Sequence, residues 1–145
     1  MSLDGFGEDA PFASDAHLGL HAYLAPFGKQ AFDPVLSVGV LFPMYGNPPG
    51  VLFQAELGMP VATVADHPFT RMFRRDSAWV PSLHGGVVAS LAEHDAVALT
   101  LTVQPLLFDF GEKTVGILGM HLIYDWLRSN WRWGIRLVQV SQALY

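Results

Sequence analysis

The stretch that decides the predicted fold is SLHGGVVASLAEHDAVALTLTV, residues 82–103. Apolar residues such as Leu91 and Ala98 recur there at roughly helical spacing, and strongly polar residues are concentrated at positions 93–95. A helix that is apolar on nearly all sides is typical of a buried position. We therefore predict one long buried helix over residues 82–103.

The segments on either side of this helix indicate strands. We predict extended segments at residues 34–42, 51–64, 114–126 and 131–140 and a turn at 47–50. One face of the third segment carries alternating apolar residues: Leu118, Met120, Leu122, Tyr124 and Trp126. Ser14 and Asp15 can cap a short helix ahead of the first strand. Strands around a single buried helix define an α+β domain.

Composition limits the size of the fold and its partners. The chain has 145 residues, of which 51% are hydrophobic, and this fits one domain with residues 1–13 as a loose arm. Only 14% are charged, below the roughly 25% typical of soluble domains. We therefore predict that copies associate as a homodimer or homotetramer. The net charge of −5 argues against a nucleic-acid partner.

Residue types exclude several kinds of chemistry. The chain has no cysteine, so it has no disulfide and no thiolate metal ligand. The histidines and carboxylates match no metal motif, and neither a metal nor another cofactor is predicted. The N-terminal ten residues lack the pattern of a signal peptide, and the longest apolar stretch, residues 96–108, is interrupted and short. We predict a cytoplasmic protein with no membrane partner.

The start of the predicted helix suits acyl-transfer chemistry. Gly85 and Gly86 would expose backbone N–H groups that have no partner in a first helical turn. Such groups suit a carbonyl oxygen that becomes an oxyanion. Glu93 returns to the same face about 10 Å further along the axis, so an antiparallel dimer could bring it to the partner's Gly86. The alternative is that the two glycines serve only close packing against a sheet.

The segment LHGGVVASLAEHDA, residues 83–96, resembles the His-Gly-Gly motif of hotdog-fold acyl-CoA thioesterases of the phenylacetate-degradation type. In that family a carboxylate lies seven residues after the second glycine, where Glu93 stands here. YDWLRS at 124–129 is similar to the family's Tyr-Leu-Arg segment, and HLGL at 17–20 to its Leu-Gly start. The resemblance implies a hotdog fold, in which an antiparallel sheet wraps around one long buried helix.

The resemblance also implies catalytic roles. The Gly86 amide, helped by Gly85, would polarise a thioester carbonyl. Glu93 of the partner chain would activate water or attack the carbonyl directly. His84 would orient the helix start or line the site.

Three further residues are candidates for substrate binding. Arg128, or the cluster RMFRR at 71–75, would meet the phosphates of coenzyme A. His94 and Asp95 stand where the family has Thr or Ser followed by a small apolar residue. Asp95 is therefore a rival to Glu93 as the catalytic carboxylate.

The predicted function is hydrolysis of an acyl-CoA or acyl-carrier thioester. One alternative is a hotdog hydratase or dehydratase acting on acyl-CoA, with His94 and a neighbouring carboxylate aimed at the acyl carbons. The other alternative is a non-catalytic acyl-binding protein that has kept the fold.

Overall fold

The computed structural model describes residues 14–28, 30–46, 51–68, 72, 77–90, 97–126 and 129–144. The described residues form ten strands: β1 (Ser14–Leu24), β2 (Val35–Gly46), β3 (Leu52–Pro60), β4 (Val64–Ala65), β5 (Ala78–Trp79), β6 (Ser82–Ser90), β7 (Val97–Gln104), β8 (Leu106–Asp109), β9 (Lys113–Asp125) and β10 (Asn130–Ala143). Within the described ranges, no helix is long and apolar enough to cross a bilayer.

Seven long strands close into a barrel. They pair in the order β1, β2, β3, β6, β7, β9 and β10, and β10 pairs again with β1. The β10–β1 pair is parallel, whereas the other six pairs are antiparallel. A barrel of seven alternating strands must contain one parallel pair, because its first and last strands run in the same direction. Closure leaves the barrel proper without a free strand edge.

The three short strands extend the wall at one end of the barrel. β4 pairs with β5, β5 with β8, and β8 with the first part of β9. Pro60 ends β3, while Pro81 and Pro105 separate β5 from β6 and β7 from β8. Because proline has no N–H to donate, the ladders of three neighbouring strands are interrupted at one level of the wall.

Side chains alternate between the two faces of the wall. The outward residues are apolar, and the inward residues are mostly polar except for an apolar cluster at one end of the barrel. In β7, Leu99, Leu101 and Val103 are exposed, whereas Thr100 and Thr102 are buried. The exposed apolar positions recur on the other six barrel strands: Leu20, Leu24, Leu36, Val38, Phe53, Leu57, Met59, Leu83, Val87, Leu118, Met120, Trp131, Ile135 and Leu137. The polarity of this barrel is therefore the reverse of that in a barrel with an apolar core.

The predicted α+β hotdog fold is wrong. Residues 82–103 do not form one long buried helix, because 82–90 are strand β6 and 97–103 belong to strand β7. Residues 91–96, between these strands, lie outside the described part. The short helix predicted after Ser14 is also wrong, since β1 begins at that residue.

Several predicted strands are confirmed. The segments 34–42, 114–126 and 131–140 correspond to β2, β9 and β10. The alternation predicted over 118–126 is present, but its apolar face is turned outward, with Leu118 and Met120 more than half exposed. The turn at 47–50 and the arm at 1–13 lie outside the described residues.

The helix prediction failed because an inverted barrel strand can look uniformly apolar. Its outward residues are apolar, and its inward residues here are often small or uncharged, such as Gly86, Ala98 and Thr100. From Leu99 to Gln104, β7 alternates between apolar and polar residues, which is the period of a strand. The period of two residues indicates a strand, whereas the absence of charged residues does not distinguish a strand from a buried helix.

Gly86 is required by close approach of two strands. It pairs with Glu56 on β3, and a methyl group at this position would overlap the carbonyl oxygen of Ala55. Its neighbour Gly85 faces outward, where the nearest atom to such a methyl group, the carbonyl oxygen of Thr100, is 4.0 Å away. The two adjacent glycines therefore occupy sterically opposite environments.

We expect Gly86→Ala to lower the free energy of unfolding by about 1–3 kcal/mol, because the added methyl group has no space. Gly85→Ala is the matched control and should leave that free energy unchanged or slightly raised. Equilibrium unfolding by urea measures both. In a helix interior both substitutions would stabilise the chain by roughly 0.5–1 kcal/mol, and that result would contradict the strand assignment.

Candidate functional site

The lumen of the barrel contains three regions along its axis. One end is filled by a cluster of buried apolar residues: Leu41, Leu52, Val88, Ala98 and Ile123. The middle holds polar and charged side chains, and the end nearest the three prolines holds a cavity. The chemistry available inside the barrel therefore lies in its middle and at the cavity end.

An ion pair crosses the lumen. Arg136 on β10 places Nη1 3.4 Å from Oε2 of Glu56 on β3, and both side chains are buried. Arg136 also donates to Gln54 Oε1 at 2.8 Å and to Gln139 Oε1 at 2.5 Å. Glu56 Oε1 accepts from Gln54 Nε2 at 2.6 Å and from Thr102 Oγ1 at 2.9 Å. We call these five residues the lumen network, which ties β3, β7 and β10 together although no two of them are neighbours.

The electrostatics of the lumen separate charged from neutral groups. Burial is the largest single effect on Glu56 and raises its pKa. The charge and hydrogen bonds of the Arg136 guanidinium, together with the nearby His84 and His21, outweigh burial and hold that pKa below its ordinary value. Burial, helped by the charge of Arg136, lowers the pKa of His21 to about 4. Burial also lowers the pKa of His84, although the Glu56 carboxylate acts in the opposite direction. At neutral pH, Glu56 is therefore ionised while His21 and His84 are uncharged.

Ser82 and His84 lie two residues apart on β6, so both side chains point into the lumen. Ser82 Oγ is 2.8 Å from His84 Nε2. On the other side of the ring, His84 Nδ1 lies 3.9 Å from Glu56 Oε2 and makes no hydrogen bond. The imidazole packs over Gly58, where a methyl group would overlap the ring. A hydroxyl, an imidazole and an ionised carboxylate therefore follow one another along the wall.

The cavity adjoins Ser82 and His84. Most of its remaining wall comes from apolar and small polar residues: Tyr23, Val35, Ser37, Gly58, Met59, Pro60, Val80, Leu107, Asp109, Thr114, Gln139 and Ser141. The hydroxyl of Ser37 is buried there without a hydrogen-bond partner. The Ser141 hydroxyl, in contrast, accepts a hydrogen bond of 3.1 Å from Gln139 Nε2.

The structure describes only some of the residues that the sequence singled out. His84 lies in the lumen between Ser82 and Glu56. Gly86 lies inside strand β6, flanked by β3 and β7, and Gly85 faces outward. Neither glycine is at a helix start, so the exposed amides expected there are absent from this part of the chain. The other candidates, Glu93, His94, Asp95 and Arg128, lie outside the described residues, as does most of the cluster at 71–75.

Sequence reasoning missed Ser82, Glu56 and Arg136. Glu56 is the sole charged residue between positions 34 and 65, and Arg136 is the sole charged residue from 133 to 145. A single charge inside a long apolar segment indicates a paired or functional group. That signal is present in the sequence, whereas the position of His84 between Ser82 and Glu56 depends on the register of β3 against β6.

Comparisons with protein-family models, with curated proteins and with solved structures gave no match. Among the described residues, no three His, Asp or Glu side chains converge as metal ligands. The function must therefore be argued from the geometry of the barrel itself.

We expect Arg136→Met to lower the free energy of unfolding by about 3–5 kcal/mol, because it leaves the Glu56 carboxylate buried without its cation. The double variant Glu56→Gln/Arg136→Met removes both charges and should recover most of the loss. Denaturant unfolding of the wild type and both variants gives the comparison. A single variant no less stable than the double variant would show that the ion pair does not hold the lumen together.

His21 should make stability depend on pH. Its pKa is about 4 in the folded chain and about 6.5 in the unfolded chain, so the unfolded chain binds the additional proton between these values. The contribution of His21 is therefore complete above about pH 6.5 and is lost as the pH falls towards 4. We expect the unfolding temperature to fall over this range, with a shallower slope in His21→Gln. An identical slope in the variant would exclude His21 as a source of the effect.

Proposed function

We propose that this chain is a lipid-embedded β-barrel whose outer wall contacts hydrocarbon and whose lumen is occluded by polar side chains. The observation that carries the proposal is the apolar character of the exposed positions on all seven barrel strands, apart from Lys113 and Gln142 near strand ends. Hydrocarbon offers no hydrogen bonds, so a sheet exposed to it must close on itself to pair its backbone groups. The pairing of β10 with both β9 and β1 meets that requirement.

The apolar outer surface is continuous over neighbouring strands. Outward positions of β3, β6 and β7 carry no charged or polar side chain: Phe53, Ala55, Leu57, Met59, Leu83, Gly85, Val87, Ala89, Val97, Leu99, Leu101 and Val103. Exposed apolar patches on proteins in water rarely exceed a few hundred Å². An apolar surface that runs round a whole barrel therefore favours an apolar surrounding.

Strand length fits the thickness of a bilayer. β3 has 9 residues and β10 has 14. At about 3.3 Å per residue and a tilt of about 40°, nine residues rise by roughly 23 Å, close to the apolar band of about 25 Å in membrane barrels. Trp126 and Trp131 are half exposed near the turn between β9 and β10, a position that suits aromatic residues at a membrane–water interface.

The lumen supplies the complementary observation. Its charged residues Glu56 and Arg136 are paired and almost fully buried, and the surrounding amides and hydroxyls bond to them. The apolar cluster fills the inward positions at one end of the lumen, so the polar interior is confined to the middle and the cavity end. Polar residues inside and apolar residues outside are typical of barrels in lipid.

Lipid would cover more of the exposed apolar surface of the barrel than a second copy of the chain would. The sequence predicted association into a homodimer or homotetramer, and that prediction is untested. One partner copy covers one side of a barrel, whereas the exposed apolar residues lie on every barrel strand. The lipid proposal therefore replaces the expectation of a cytoplasmic protein with no membrane partner.

The predicted acyl-CoA thioesterase activity depended on an oxyanion site at a helix start, and residues 82–90 form strand β6 instead. It remains an untested prediction, as do the hydratase and acyl-binding alternatives. Of the described residues that the sequence proposed for these activities, His84 alone has its side chain in the lumen.

We expect the full chain, folded in phosphatidylcholine vesicles, to float with them in a density gradient. In these vesicles, Leu101→Arg should lower the free energy of unfolding by about 2–4 kcal/mol, because the charge is placed in hydrocarbon. Leu144→Arg is the control: Leu144 is 54% exposed against 46% for Leu101, but lies beyond the end of β10. That variant should cost at most about 1 kcal/mol.

Two outcomes would contradict the lipid proposal. One is a folded monomer in detergent-free buffer that does not float with vesicles. The other is a Leu101→Arg variant as stable as the wild type, since an arginine at a water-exposed position is nearly neutral.

A further inference from the structure

We propose that Ser82, His84 and Glu56 form a serine hydrolase site that cleaves an ester or thioester of a small uncharged acyl group. The site lies in the lumen, so the proposal goes beyond the lipid-embedded barrel and does not depend on what covers its outer wall. Ser82 and His84 are the catalytic residues, and Glu56 is a positioning residue that acts through His84.

The geometry of the three groups is that of an activated serine. Ser82 Oγ and His84 Nε2 are 2.8 Å apart, within reach for transfer of the hydroxyl proton. When His84 Nδ1 carries the proton of the neutral ring, Nε2 is free to accept. The nearest carboxylate to Nδ1 is Glu56 Oε2 at 3.9 Å. Such contacts are often long in an empty site and shorten when substrate binds.

A second observation points to a ligand in the adjoining cavity. The Ser37 hydroxyl lines the same cavity, is almost fully buried and has no hydrogen-bond partner. A buried hydroxyl without a partner costs free energy, and a carbonyl oxygen in the cavity would accept its hydrogen bond. Ser37 is therefore a buried donor available to a polar atom of a ligand in this cavity.

The walls of the cavity indicate the class of substrate. Val35, Val80 and Leu107 contribute apolar surface to the cavity that Ser82 and Ser37 also line. Within the described residues that line the cavity, Asp109 is the sole carboxylate, and no Lys or Arg is present. The cavity measures about 40 Å³, so it suits a small uncharged acyl group better than a long chain, a phosphate or another anion.

The reaction proceeds in two balanced steps. Ser82 Oγ bonds to the carbonyl carbon while its proton passes to His84 Nε2, and the leaving oxygen or sulfur takes that proton as its bond to the carbon breaks. Water then attacks the acyl group on Ser82 and gives a proton to His84, and Ser82 Oγ recovers this proton as it leaves. The products are a carboxylic acid and an alcohol or thiol.

Glu56 suits the positioning role because Arg136 keeps it ionised despite its burial. A carboxylate at this place orients the imidazole and stabilises the imidazolium that forms during each step. The lumen network thereby serves the site as well as the barrel, since Gln54 and Thr102 hold the carboxylate in place.

The test labels the full chain, folded in detergent micelles, with a fluorophosphonate probe and locates the adduct by mass spectrometry. We expect a single adduct on Ser82 that is absent from Ser82→Ala and from His84→Gln. Hydrolysis of p-nitrophenyl esters and acyl thioesters of short and long chains is then measured. Ser82→Ala should lower kcat/KM by about 1000-fold or more. Circular dichroism confirms that each variant keeps its strands.

Ser90→Ala is the matched control, because Ser90 is another buried serine on β6 and does not line the cavity. It should keep both the adduct and the activity. The double variant Glu56→Gln/Arg136→Met should lower kcat about 100-fold or more while KM stays within about twofold, which separates positioning from a structural role. A folded wild type with neither adduct nor turnover, or an adduct that persists in Ser82→Ala, would overturn the proposal.

Discussion

The ion pair between Arg136 and Glu56 is the interaction on which the inside of this barrel depends. Two buried charges are costly unless each is paired and its remaining polar atoms are satisfied. Gln54, Thr102 and Gln139 supply such partners from three strands that are not neighbours, although Arg136 Nε has none. The pair therefore fixes the relative positions of distant strands. It also keeps a carboxylate ionised beside His84, so structure and potential chemistry share one network.

The inverted polarity of the wall follows from the same arrangement. Once charged and amide groups occupy the lumen, the apolar residues at alternate positions must face outward, because successive side chains point to opposite faces. The sequence predicted β2, β9 and β10 because their segments are long and bounded by turn signals. It failed at β6 and β7, where small inward residues such as Gly86 and Ala98 conceal the alternation. Which of the two faces is buried cannot be read from one strand.

The candidate site was predictable only in part. His84 was singled out from its neighbouring glycines, although as part of a helix start that does not exist. Glu56 and Arg136 each stand alone in a long apolar segment, which is a signal that a single sequence contains. Their pairing across the lumen depends on barrel closure between β10 and β1, a contact between distant parts of the chain. Ser82 can be recognised as a candidate site residue only once that closure and the register of β3 against β6 are known.

Inverted polarity is tested most directly by accessibility along β7. The chain has no cysteine, so single cysteines at residues 99–104 can each carry a spin label in vesicles without background. Oxygen, which concentrates in hydrocarbon, should collide readily with labels at 99, 101 and 103 and poorly with those at 100, 102 and 104. A water-soluble relaxing agent should reach none of the three outward labels. Free access of that agent to the outward labels, or accessibility that repeats every 3.6 residues, would contradict the account.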